Sequence, residues 1–281
     1  GLLLHIHELM ATPSVDALAE HLVRELRYHE SFVATSRAPA SKALSVDVGQ
    51  ELPPPVFVFS TGRSGSTLFR VMLEGHSELF APPSLYLLPF DTIHDAELTL
   101  KEQGLAMADG VIAAIGRLRD VSSDEARSTW LRWVEERRSV ADVYGQLRAW
   151  AGPRALVDKT PLYALDADIM RRAYTLFPRA RVIHLVRHPY AVIESHVRNR
   201  LHRLGGTEGH PLDIGERIWR DWNEHIESMV AELPHEAWLR LRYEDLVADP
   251  ARTMTRVCAF LGLAYEDSTV RPYTGDRMSR G

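Results

Sequence analysis

Four apolar residues in a row, Val56-Phe57-Val58-Phe59, lead into Ser60-Thr61-Gly62-Arg63-Ser64-Gly65-Ser66-Thr67 and then into an apolar pattern at helical spacing through Leu73. That order predicts a buried strand, a Gly/Ser turn and an amphipathic helix, ended by Gly75-His76-Ser77. Residues 81–93 hold Pro82-Pro83 and Leu85-Tyr86-Leu87-Leu88, and predict a core-facing loop or a short strand. Residues 97–150 predict helices punctuated by Asp109-Gly110 and Ser122-Ser123-Asp124, with either serine able to cap the next helix. Ala155-Leu156-Val157 predicts a short strand before Asp158-Lys159-Thr160-Pro161, and a helix follows over 166–176. Arg181 to Val186 predicts a core strand ending at Arg187-His188-Pro189, then a helix from Tyr190 to about Leu204, broken at Gly205-Gly206. A long helix over 213–232, a strand over Trp238–Tyr243 and a helix over 251–261 stopped by Gly262 complete the pattern. Strands alternating with helices imply an α/β fold, a P-loop-like three-layer arrangement with a central parallel sheet flanked by helices.

The start of the chain reads differently. Val15, Leu18, Ala19, Leu22, Val23 and Leu26 recur at helical spacing behind Pro13-Ser14. Residues 34–55 are rich in Ala, Ser and Pro and end in Pro53-Pro54-Pro55, a linker composition. The expected division is a helix and linker over 1–55 and a globular domain over 56–281.

Composition narrows the function classes. The 281 residues carry a net charge of -5, which disfavours a general nucleic-acid binder. No apolar run approaches the length of a membrane span, and no basic stretch leads into a secretory core; a cytoplasmic location is expected. Cys258 is the only cysteine, which excludes a disulfide framework and a cysteine-rich zinc site, and its apolar helical setting predicts a small buried hydrophobe. Thirteen histidines form no recognised metal motif. His5 and His7 can share one strand face, but scattered surface histidines explain them as well.

The turn after the first strand carries the chemistry. Such a turn aims backbone N–H groups and a helix N-terminus at one point, an anion site most often used for phosphate. It lacks the Gly-Lys-Ser/Thr ending of a nucleotide triphosphatase, and Arg63 stands inside it instead. A phosphate-type ligand would meet Gly62, Arg63, Ser64, Gly65, Ser66 and Thr67; the alternative is a capped turn with a surface arginine. It is not Gly-x-Ser-x-Gly, which weakens a serine-hydrolase reading. Lys159 follows a core strand, where the carboxyl ends of parallel strands border the ligand crevice, and can neutralise charge on a transferred group; the alternative is a solvent-facing turn lysine. Arg187 also follows a strand, and Ser195 lies on the next helix. The two can grip one phosphate, or be a surface arginine and a neutral helix serine. Arg198, one turn beyond Ser195, is a further basic candidate against the ordinary solvated helix arginine.

Together, Arg63-Ser64-Gly65-Ser66-Thr67-Leu68, the Lys159 segment and the Arg187…Ser195 pair resemble the sulfotransferases over about residues 56–277. The resemblance implies the donor 3′-phosphoadenosine 5′-phosphosulfate (PAPS) and the product 3′-phosphoadenosine 5′-phosphate (PAP). It implies that residues 63–67 hold the 5′-phosphosulfate, that Arg187 and Ser195 hold the 3′-phosphate, and that Leu241-Arg242-Tyr243-Glu244-Asp245-Leu246 is mainly structural. Gly75-His76-Ser77, Ala81-Pro82-Pro83, Leu87-Leu88-Pro89-Phe90, Val186-Arg187-His188-Pro189-Tyr190 and Gly275-Asp276-Arg277-Met278 look most like sulfotransferase domains of modular polyketide synthases. Residues 1–30 look like the tail of an acyl carrier domain. That likeness implies sulfation of the β-hydroxyl of a carrier-bound acyl chain, an acyl carrier protein and a downstream thioesterase as partners, and release of a terminal alkene. Neither a metal, a nucleic acid nor a membrane is expected to take part. Arg63, Lys159 and Arg198 are the catalytic candidates.

Two features depart from the pattern. Where related enzymes often place a glutamate as base or organiser, this chain has Ser84 after Pro83, and the sequence stops at Gly281 shortly after the last family segment. The general base is therefore not named by the sequence. A freestanding sulfotransferase for a small alcohol or glycan, a nucleotide-dependent kinase and a silent carrier-docking module are the alternatives.

Overall fold

A computed structural model of the chain describes residues 52–102, 108–199 and 209–274. The N-terminal helix and its linker, the His5/His7 pair, Gly205-Gly206 and the Gly275-Asp276-Arg277-Met278 segment lie outside the described residues.

Five strands form one parallel sheet: β1 (Val56–Phe59), β2 (Leu79–Phe80), β3 (Ala155–Lys159), β4 (Arg181–Val186) and β5 (Trp238–Arg242). Their order is β2-β3-β1-β4-β5, so β1 is central, with β3 on one side and β4 on the other. Connections leaving β1 reach one half of the sheet, and the chain then crosses to the other. A crevice opens outside the carboxyl ends of strands at such a reversal.

Around the sheet run α1 (Ser66–Leu73), α2 (Ile93–Glu102), α3 (Asp109–Arg119), α4 (Ser123–Glu135), α5 (Val140–Ala151), α6 (Ala167–Leu176), α7 (Pro189–Arg198), α8 (Pro211–Val230), α9 (Tyr243–Ala248) and α10 (Pro250–Leu261). Alternation along β1 divides the core. Phe57 and Phe59 face one cluster with Tyr144, Tyr163, Trp130 and Trp133. Val56 and Val58 face another with Phe69, Leu73, Leu185 and Val257. Both phenylalanines are fully buried, each contributing roughly 1.5–3 kcal/mol. Layers on both faces explain why β1 reads as an unbroken apolar run and why β4 is buried from Val182 to Leu185, His184 included.

Several boundaries differ from the expectation. The helices begin at Ile93, not 97, and Asp109-Gly110 is the first turn of α3 instead of a break. The short strand is Leu79–Phe80, while Leu85 to Leu88 is loop, held by the Tyr163 hydroxyl, which accepts from the Leu87 N–H at 2.8 Å. Lys159 is the last residue of β3, not of the turn after it. α9 is an additional helix that begins at Tyr243 and runs past Leu246 to Ala248. Ser122 caps α4 in a reciprocal box with Glu125, and Gly262, with φ 74°, ends α10. Cys258 is buried, and burial raises its thiol pKa.

Candidate active site

The turn between β1 and α1 is built to receive an anion. Gly65, in the left-handed region at φ 82°, is the N-cap of α1 and offers no side-chain cap; no acidic residue stands in the first turn. The first N–H groups of the helix are thus left pointing outward, with the positive end of the helix dipole behind them. Arg63 also adopts a left-handed backbone, φ 69°. Thr61 and Ser64 share a hydroxyl hydrogen bond of 2.6 Å beneath the turn, and both are buried.

Tyr243 supplies the floor. A Cβ on Gly65 would come within 2.2 Å of the Tyr243 ring, so only glycine allows this approach. The Arg187 guanidinium lies over the same ring, 4.6 Å from its centre. Its Nη1 donates to the Arg63 carbonyl at 2.9 Å, and Arg63 Nε donates to Ser195 Oγ at 3.0 Å. The backbone of Arg187-His188 is anchored by Trp219 Nε1, which donates to the Arg187 carbonyl at 3.0 Å, and by Glu244, which accepts from the His188 N–H at 2.9 Å. Burial, then the charges of Arg187 and Arg198, lower the Arg63 pKa: the two facing arginines repel, and a multiply charged anion between them would relieve that repulsion.

Lys159 pairs in register with Val58, one residue before the end of β1, and is buried. Its Nζ donates to Ser84 Oγ at 3.0 Å, while the Ser84 hydroxyl donates to the Lys159 carbonyl at 2.8 Å. Burial, helped by the charge of Arg70 and opposed by that of Asp158, brings the amine pKa down to about 7. Strand alternation sends Asp158 to the opposite face. There its carboxylate accepts from Tyr144, Tyr163 (3.0 Å) and Thr160 (2.7 Å). The Thr160 hydroxyl in turn accepts from the Leu85 N–H at 3.2 Å, so the segment after Ser84 is tied to the end of β3. Burial raises the Asp158 pKa and these hydroxyls pull it the other way.

Hydrogen bonds thus join Arg63 of the 62–67 turn to Arg187 and Ser195, and Lys159 ends the strand that pairs with β1. Arg198 stands apart: its side chain is exposed on α7 and pairs with Glu194 at 3.5 Å, reaching Arg63 only through its field. Two contributors were not legible beforehand. Tyr243 belongs to the segment that the resemblance makes mainly structural. His196 is buried beside Gly62; burial, helped by the charge of Arg63 and opposed by a hydrogen bond with the Gly62 backbone, lowers its pKa to about 4. Ser84 stands where a glutamate base was expected; its hydroxyl is engaged at both ends by Lys159 and cannot take a proton at neutral pH.

This donor set fits a phosphosulfate: uncapped backbone N–H groups, two arginines and a lysine, with no carboxylate in the first turn to repel the ligand. Among the described residues no group of His, Cys, Asp and Glu could hold a metal ion. No helix among them is long and apolar enough to cross a membrane.

Comparison with known proteins places the same residues in a family. Residues 54–267 match the Sulfotransferase family. The sulfotransferase domain from the curacin biosynthetic pathway shares 39% identity at TM-score 0.77, covering 83% of this chain and 82% of that one. The sulfotransferase domain from the Synechococcus PCC 7002 olefin synthase shares 38% identity at TM-score 0.76, covering 85% and 83%. The nodulation protein NoeE of Sinorhizobium fredii is 31% identical over 206 residues, 73% of this chain and 43% of that protein. The chain spans about half the length of the curated relatives it matches. With the family matched across most of its length and the anion cradle inside the matched region, the chain belongs to the sulfotransferase family, whose sulfuryl donor is PAPS.

Proposed function

We propose that the protein transfers a sulfuryl group from PAPS to the β-hydroxyl of a carrier-bound acyl chain, which a downstream thioesterase then releases with loss of carbon dioxide and sulfate as a terminal alkene. The observation that carries the acceptor class is the 39% and 38% identity, over more than four-fifths of each chain, to sulfotransferase domains of the curacin pathway and of an olefin synthase. The cradle supports the donor half of the reading. The 62–67 turn and Arg63 bind and orient the phosphosulfate end, and Arg187 with Ser195 the 3′-phosphate. Lys159 stands beside them at the end of β3, within the reacting region. Positive groups fixed before reaction stabilise charge on the departing phosphate without reorganisation. Arg198 contributes through its field.

Incubation of the chain with PAPS and a carrier-tethered β-hydroxyacyl chain, followed by mass analysis of the carrier, tests this reading. A sulfated carrier adduct is expected, formed faster than sulfation of the free β-hydroxy acid. Faster turnover of a free alcohol or glycan would replace the carrier-bound acceptor. Turnover of magnesium ATP in place of PAPS would overturn the donor.

A further inference from the structure

The protein uses arginine almost everywhere it needs a cation. It has thirty arginines and three lysines, Lys42, Lys101 and Lys159. The lysine at 159 is therefore notable for its chemistry: an amine can lose its proton near neutrality, whereas a guanidinium cannot. Its surroundings suit the neutral form. The side chain is buried at the end of β3, and among the described residues no carboxylate pairs with it. The carboxylate next in sequence, Asp158, lies on the other face and is occupied by three hydroxyls. The charged groups that act on Lys159 are Arg70 on α1, which donates to the Ala81 carbonyl at 2.8 Å, and Asp158 itself. Its hydrogen-bond partner is Ser84, the residue at the place where a base was expected. Ser84 cannot turn away, because its hydroxyl hydrogen is committed to the Lys159 carbonyl and its own carbonyl is packed against Gly110.

We propose that Lys159 is the general base that takes the acceptor's hydroxyl proton, with Ser84 as the positioning residue that holds its amine in place. The inference rests on the sulfuryl-transfer reading above and assigns the base which that reading leaves open. As the acceptor oxygen forms its bond to sulfur, its proton passes to the lone pair of Lys159 Nζ. The bond between sulfur and the phosphate oxygen breaks with its electron pair left on the phosphate. The resulting ammonium, at the end of the strand next to β1, afterwards releases its proton to water. The depressed amine pKa, about 7 before any ligand is bound, places this group where a base works best at neutral pH.

A base and a fixed cation predict opposite pH limbs. If Lys159 must be neutral to act, the transfer rate rises with pH through its titration; if it must be charged, the rate falls. The test pairs 15N-lysine NMR of the PAP-bound chain, where only three side-chain amines contribute, with single-turnover transfer from PAPS over about pH 6–9. Lys159 Nζ is expected to titrate inside that window, identified by its loss in Lys159→Arg, and the rate is expected to rise through the same midpoint. Lys159→Arg should bind PAP within about threefold of wild type yet transfer at least ~100-fold more slowly, with the limb gone. A rate that falls through the midpoint, an amine charged across the whole window, or near-normal transfer by the arginine variant would overturn the inference and leave the sulfotransferase reading standing. Should the arginine variant fail to fold, the direction of the wild-type limb decides. No sulfated product from wild type would overturn both.

Discussion

Arg187 Nη1 donates to the carbonyl of Arg63 at 2.9 Å, across 124 residues of sequence, while Arg63 Nε donates to Ser195 Oγ at 3.0 Å. The arginine that follows β4 thus fixes the turn that follows β1, and the helix serine fixes the side chain of that turn. The turn after β1, the residue after β4 and the α7 serine are one hydrogen-bonded unit.

Arg187→Ala removes the tie to Arg63 and, on the proposed reading, the charge that would meet the 3′-phosphate. The expected loss of PAP affinity by calorimetry is about 10- to 150-fold, the range for a charge-assisted hydrogen bond of ~1.5–3 kcal/mol. Arg187→Lys keeps the charge without the planar fork and should recover only part of the loss.

The contact of Gly65 with Tyr243 predicts a coupling. Gly65→Ala places a methyl 2.2 Å from the ring and keeps an unfavourable positive φ. PAP binding should fall by more than tenfold. In a Tyr243→Ala background the steric part disappears, so the added loss from Gly65→Ala should shrink. Equal losses in both backgrounds would show that the ring is not the obstacle.

Gly110 tests the placement of Ser84 alone. A Cβ there would stand 2.0 Å from the Ser84 carbonyl oxygen and 2.9 Å from its carbon, so the backbone at Ser84 has to move. Displacement by ~1 Å is enough to lower turnover by about 100-fold. Gly110→Ala is therefore expected to reduce kcat by about 10- to 100-fold with PAP affinity within about twofold of wild type. Overpacking of ~1–3 kcal/mol should appear as a lower Tm.

Buried histidines set an acid limit. His184 in β4 and His196 in α7 both have pKa values lowered to about 4, by burial first. Between their ordinary value of ~6.5 and about 4, the unfolded chain binds protons that the folded chain refuses. Stability from these groups is complete above ~6.5 and is lost as pH falls toward 4, by roughly 3 kcal/mol for each. Urea unfolding at pH 7 and pH 5 should show this fall, and His184→Gln should make the difference between the two smaller. An unchanged slope would remove the assignment to His184.

Legibility in the sequence followed local chemistry. β1, β4, α10 and the anion turn were plain because an apolar run, a Gly/Ser turn and a glycine stop act on their own neighbours. Lys159 was visible as a strand-end cation, but its burial was not, because that depends on Ser84, 75 residues away. Tyr243 carried no local signal at all; its role exists only because β5 sets it beneath Gly65. Asp109-Gly110 looked like a break, whereas its glycine serves the close approach of α3 to Ser84. Arg198 resembled a site residue by spacing alone, and the helix turns it outward to Glu194.

The residue beneath the anion turn arrives 178 positions after the glycine it supports. A chain cut short before Tyr243 has the strand, turn and helix of the donor site but nothing under them, so PAP recognition should emerge only when the last strand has docked. Maturation of the cradle is then a late event in assembly, set by a long-range contact instead of by the turn that gives it its signature.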